Sequence, residues 1–145
     1  MTYSHYREIK ILGTSVPSAA QVIGAIQIGI VDDDASVRKA LARLLHAHGY
    51  ECAVYESGEM ALEDPELFRM QCLIVDVQLT GMDGFEFCGR IDAIGLSIPY
   101  IFITAYIDPG APDTPDRLGE GILLIKPIDE HELLASIERA MGDHR

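Results

Sequence analysis

Cys72-Leu73-Ile74-Val75-Asp76 is a run of apolar residues that ends in an acid. Bounded by turn chemistry, it reads as a strand buried on both faces, as strands of a parallel sheet are. In an open α/β sheet the ligand crevice lies outside the carboxyl ends of the strands, so Asp76 is expected to face it. Three other apolar runs end in a comparable way. Ile26 to Val31 leads into Asp32-Asp33-Asp34, Ile98 to Ile103 into Thr104, and Gly121 to Ile125 into Lys126-Pro127. An acidic pair, a central acid, a hydroxyl and a lysine are therefore expected along one edge of one sheet.

Helical patterns fill the intervals. Val37, Ala40, Leu41, Leu44 and Leu45 have helical spacing after strand one, with Asp34 or Ser36 as cap and Gly49 as stop. A short strand from Glu51 to Tyr55 precedes a second helix, from Ser57 through Leu67 and disturbed by Pro65. A third helix opens at Gly84, after a loop from Gln78 to Asp83, and runs to Ala93. The last starts at Asp129 with a capping spacing to Glu132, and its buried stripe is Leu133, Leu134, Ile137, Ala140 and Met141. Between Thr104 and Lys126 the pattern weakens. Pro109, Pro112 and Pro115 recur there, and an interior proline costs a helix about 3 kcal/mol. The fourth helix is thus expected to be degenerate, confined to Pro115 through Leu118 or absent. The alternation predicts a three-layer α/β/α sandwich around a five-stranded parallel sheet with right-handed crossovers. In the order 2-1-3-4-5, the reversal falls between strands one and three, so Asp33 and Asp76 flank it.

Composition narrows the function. One domain fits 145 residues. A formal charge of −12 argues against sequence-independent nucleic-acid binding and against an anionic membrane surface. No stretch approaches the length of a membrane span. Cys52, Cys72 and Cys88 match no metal or redox spacing, which suggests reduced thiols and a cytoplasmic protein. Residues 1–25 differ in composition from the rest and read as a flexible leader or as a docking arm; residues 26–145 form the domain.

Carboxylates brought together repel and call for a cation, and Mg2+ suits oxygen ligands. Asp32, Asp33 and Asp76 are the candidate ligands. With the ion seated, a carboxylate oxygen of Asp76 can act as nucleophile toward phosphorus. Lys126 would neutralise phosphoryl charge, and the Thr104 hydroxyl would donate to a phosphoryl oxygen. No general base is evident, which fits phosphoryl capture better than a turnover enzyme.

Val31-Asp32-Asp33-Asp34, Ile74-Val75-Asp76, Gly81-Met82-Asp83-Gly84, Ile103-Thr104-Ala105 and Lys126-Pro127, in this order over residues 26–141, resemble the receiver domain of bacterial two-component response regulators. This is the CheY-like superfamily with a flavodoxin-like fold, and the motifs are closest in flavour to FixJ/NarL-type receivers. The resemblance implies phosphotransfer from a sensor histidine kinase or a phosphotransfer protein to Asp76. It also implies the main-chain carbonyl of Gln78 as a further metal ligand and a cis peptide before Pro127. The regulatory positions would be Thr104, Ala105, Tyr106, Leu123 and Pro127, with signalling to an unidentified downstream protein.

The chain departs from the family at Leu123, where receivers usually carry a switch ring, and in the proline-rich stretch. These departures favour an alternative, a pseudo-receiver that binds a partner without being phosphorylated. A phosphatase-like hydrolase is a further alternative, against which Gln78 counts, since such enzymes commonly carry an acid there. Tyr106 is either a rim aromatic or a shield over the phosphoryl group. The histidines are expected to be solvated. With the fourth helix lost, Leu123, Ile125 and Leu133 are expected to be exposed and to seek a second copy of the chain, or to be covered by the leader. The sequence stops at Arg145, so no DNA-binding output domain is expected within it. It resembles a stand-alone receiver or a piece of something longer.

Overall fold

The computed structural model describes residues 24–105 and 122–142. In chain order the elements are β1 (Gln27–Val31), α1 (Ala35–Ala47), β2 (Glu51–Tyr55), α2 (Gly58–Leu62), a 3-10 helix (Pro65–Arg69), β3 (Cys72–Asp76), α3 (Gly84–Ala93), β4 (Tyr100–Thr104), β5 (Ile122–Ile125) and α4 (Glu130–Gly142). The strands form one sheet in the order β2-β1-β3-β4-β5, as expected, and every neighbouring pair is parallel. The expectation of a degenerate fourth helix, with Tyr106 and the proline stretch, lies outside the described residues, as does that of a leader through residue 23. The helix after β5 is for that reason α4.

Alternation along the strands divides the core between two faces. Cys72 and Ile74 of β3 pack with Ile28 and Ile30 of β1, beneath Leu41 and Leu45 of α1 and Leu133, Ile137, Ala140 and Met141 of α4. Leu73 and Val75 point the other way, into a cluster with Phe102 and with Ala61, Leu67, Phe87 and Ile91 of the helices on that side. All five residues of β3 are buried. Helices thus cover both faces of the sheet, and a carboxylate at the end of β3 has nowhere to point but the sheet's edge.

Local signals account for most boundaries. Asp34 caps α1 through Ser36 N, and Gly49 takes φ +90° just past the helix, a conformation glycine adopts without penalty. At the start of α4, Asp129 accepts from Glu132 N at 2.9 Å. Three expectations need correction. Pro65 does not disturb one long helix; α2 stops at Leu62 and Pro65 starts a separate 3-10 turn capped by Asp64, where its missing N–H costs nothing. Ala40 is exposed, because α1 turns its Leu41/Leu45 side to the sheet. Leu133 is completely buried and Leu123 half-buried, leaving only Ile125 of the supposed sticky trio exposed, at 50%. Leu133 lies on the opposite face of the sheet from Leu123, in the cluster that α4 itself seals. Burial holds the Cys52 thiol up at about 11 and Cys72 at about 12, and pushes Cys88 higher still. None of the three is a thiolate at neutral pH.

Candidate phosphoacceptor and metal site

The turn after β1, the end of β3 and the turn after β5 converge on one point. Asp32 follows β1 and is fully buried; Asp76 ends β3 and is 4% exposed. Lys126 Nζ lies 3.0 Å from Asp32 Oδ2 and 3.0 Å from Asp76 Oδ2. The other oxygen of each carboxylate is held by backbone. Asp34 N donates to Asp32 Oδ1 at 2.8 Å, and Gln78 N donates to Asp76 Oδ1 at 2.9 Å. Arg38 Nη1 fixes the turn from α1 by donating to the Asp32 carbonyl at 2.7 Å.

Asp33 stands at the exposed rim. Its Oδ2 accepts from the Thr80 hydroxyl at 3.0 Å and from Thr80 N at 3.3 Å, which ties the β1 turn to the loop after β3. Carboxylate oxygens of Asp32, Asp33 and Asp76 all lie within 4.8 Å of one another. Thr104, at the end of β4, is one residue beyond Ile103, which pairs with Asp76. It is 2% exposed, and its hydroxyl donates to Gln78 Oε1 at 2.8 Å. The lysine–proline peptide after β5 is cis, as the resemblance implies.

The electrostatics follow from burial. Desolvation raises the Asp76 carboxyl above its ordinary value, and the nearby Asp32 charge adds to this; the hydrogen bonds from Lys126 and Gln78 N oppose it. Burial works against the charge of Lys126, yet its hydrogen bond to Asp76 and its close ion pair with Asp32 prevail and hold it above the usual lysine value. The Asp34 side chain turns to α1 instead. Hydrogen bonding to Ser36 holds its carboxyl below the usual range, as befits a cap.

The residues fit a hard divalent cation. Three carboxylates face one ammonium, a formal excess of two negative charges. Asp32 Oδ2 is buried with no hydrogen bond, although the ammonium stands 3.0 Å away. That one ammonium is shared with Asp76, so the two buried carboxylates keep a net negative charge that a second cation would offset. Asp32, Asp33 and Asp76 would supply the ligands, with oxygen donors that suit Mg2+.

The structure thus gathers Asp32, Asp33, Asp76, Thr104 and Lys126 at one edge of the sheet. Ala105 and Pro127 are exposed beside it, and Leu123 packs half-buried against the core, paired with Phe102. Thr80, Arg38 and the side chain of Gln78 were not legible in advance. Thr80 and the Gln78 side chain act through contacts that only the tertiary fold creates, Arg38 through one across the turn into α1, and none sits in a pattern with a period. Gly84 serves the site from below: a Cβ there would collide with the Asp76 carbonyl oxygen, so only glycine lets α3 start this close to the end of β3.

A family model described as the response regulator receiver domain matches residues 28–138. The DNA-binding transcriptional regulator NtrC of Klebsiella pneumoniae is 33% identical over 116 residues, which cover 80% of this chain and 25% of that protein. The transcriptional regulatory protein FixJ of Azorhizobium caulinodans is 26% identical over 118 residues, covering 81% of this chain and 56% of that protein. The chain therefore spans from a quarter to about half the length of these relatives. Among solved structures, a response regulator receiver protein from Burkholderia phymatum superimposes with a TM-score of 0.69 at 35% identity, covering 81% of this chain and 95% of that one.

Proposed function

This chain belongs to the response regulator receiver domain family, and we propose that it accepts a phosphoryl group on Asp76 and signals by binding another protein. One observation carries the reading: Asp76 ends the central strand with Lys126 on one of its oxygens and two further carboxylates within ligand distance. A lone pair of an Asp76 oxygen attacks phosphorus while the bond from phosphorus to a donor's histidine nitrogen breaks, its electron pair staying on that nitrogen. An acyl phosphate on Asp76 results. Lys126 stands where it stabilises the added negative charge as a point charge. Mg2+, when bound, supplies further neutralisation of the transferring group. Asp32 and Asp33 hold the acidic side of the site, and the Gln78 carbonyl is the additional ligand the family implies.

The donor would be a sensor histidine kinase or phosphotransfer protein, and a cytoplasmic location follows from such a partner. Among the described residues no helix is long and apolar enough to cross a membrane. The chain is a phosphoacceptor in this reading rather than a turnover enzyme. The acidic net charge of −12 supports a protein target over nucleic acid for this part of the molecule. Phosphorus NMR tests the reading: phosphoramidate with Mg2+ should give a protein acyl-phosphate resonance that Asp76→Asn lacks. If both chains stay silent while binding Mg2+ equally, the pseudo-receiver alternative replaces it.

A further inference from the structure

The Gln78 side chain is not accounted for by a role of its carbonyl as metal ligand. Gln78 is an exposed loop residue, yet it reaches both halves of the site. Its main-chain N–H donates to Asp76 Oδ1 at 2.9 Å, and its side-chain oxygen accepts the hydroxyl proton of Thr104 at 2.8 Å. A threonine hydroxyl has one proton to give. While Gln78 takes it, no phosphoryl oxygen can.

We propose that the Gln78 side chain competes with the phosphoryl group for the Thr104 hydroxyl, and so sets the threshold for phosphoryl capture. The inference rests on the phosphoacceptor reading of Asp76. Thr104 is almost sealed from water, so its hydroxyl depends on a protein partner and gives that partner up only for a better one. An anionic phosphoryl oxygen is a better one, because hydrogen bonds to charged acceptors are about twice as strong as neutral ones. Gln78, at the surface, swings into solvent at little cost, its amide rehydrated. Capture therefore proceeds, but at reduced affinity, and every phosphorylation event is coupled to the release of one exposed side chain beside the site. The phosphorylated surface then differs from the resting one at Gln78 itself, on the loop between β3 and α3.

The test is a double-mutant cycle on the full chain, titrating beryllium fluoride, a phosphoryl mimic, in saturating Mg2+. Gln78→Ala should bind about three- to fivefold tighter than wild type, the worth of one neutral hydrogen bond no longer broken. In a Thr104→Val background the same Gln78→Ala change should leave affinity unaltered, since there is no hydroxyl to compete for. Unchanged or weaker binding in Gln78→Ala, or a gain that persists in Thr104→Val, overturns the competition while leaving the phosphoacceptor reading intact. Failure of every chain, wild type included, to bind the mimic overturns the phosphoacceptor reading and this inference with it.

Discussion

At the residue scale, the resting site is a compromise between function and stability. Asp76 is buried beside another acid, and its carboxyl titrates above the ordinary value of 3.8. A group whose folded pKa is raised contributes its stability below the unfolded value and loses it as pH rises through the folded one. Without Mg2+, the wild-type fold should therefore lose ground to Asp76→Asn as pH rises from about 3.8. Near neutrality the variant should be the more stable, with a higher Tm. Paired urea titrations from acid to neutral pH, in chelator, check this; a gap that narrows with rising pH contradicts it. Thr80 makes a second prediction. It gives two hydrogen bonds to the candidate rim ligand Asp33, and partners of a ligand commonly govern metal affinity by tenfold or more. Thr80→Val keeps the backbone donor and loses the hydroxyl, so Mg2+ should bind about tenfold more weakly. Thr80→Ser should restore the affinity, and calorimetric titration reads both.

At the element scale, what the sequence made legible was the strands and their ends. Each apolar run is short and ends in a polar residue, so β1, β3 and β4 and the residues after them are legible in the sequence. Strand positions also fixed the two-faced core, because a run such as Leu73-Ile74-Val75 must supply both sides. Helix detail was less legible. Pro65 is a breaker inside a helix and a good first residue of a new one, and only the tertiary path of the chain decides which. Leu133 reads two ways, as part of the buried stripe of the last helix and as a residue laid bare by loss of the fourth; the stripe reading holds, because its burial depends on which face α4 covers. Gly84 is an element-scale feature that serves the site. Gly84→Ala would force α3 away from the end of β3, and overpacking of this kind costs about 1–3 kcal/mol. Chemical denaturation should show that loss, together with weaker Mg2+ binding as displacement of the Asp76 backbone carries its carboxylate with it. Wild-type stability in Gly84→Ala would mean the contact is not tight.

At the scale of the whole molecule, the sheet order brings distant parts of the chain together. Asp32 and Asp76 meet because β1 and β3 are neighbours at the reversal of the sheet, and Lys126 arrives from the far edge through the turn after β5. A metal held by these carboxylates would bridge segments that unfold together, and would bind the folded chain in preference to the unfolded one. Stability should rise with the logarithm of Mg2+ concentration once the site begins to fill, by about 2.7 kcal/mol at a hundredfold excess over Kd. Asp33→Asn should flatten that dependence. Side-chain partners across the site, Thr80 with Asp33 and Gln78 with Thr104, join residues 47 and 26 positions apart. Such pairs leave no trace in local pattern, which is why the acidic cluster is legible in the sequence and its supports are not.

The central claim is that Asp76 takes a phosphoryl group, and intact mass tests it most directly. Wild type and Asp76→Asn are each incubated with phosphoramidate, with Mg2+ and with chelator. The account predicts the gain of one phosphoryl group by wild type in Mg2+ alone, with no gain by the variant under either condition. Equal gain by Asp76→Asn, or no gain by a wild type shown separately to bind Mg2+, would contradict it.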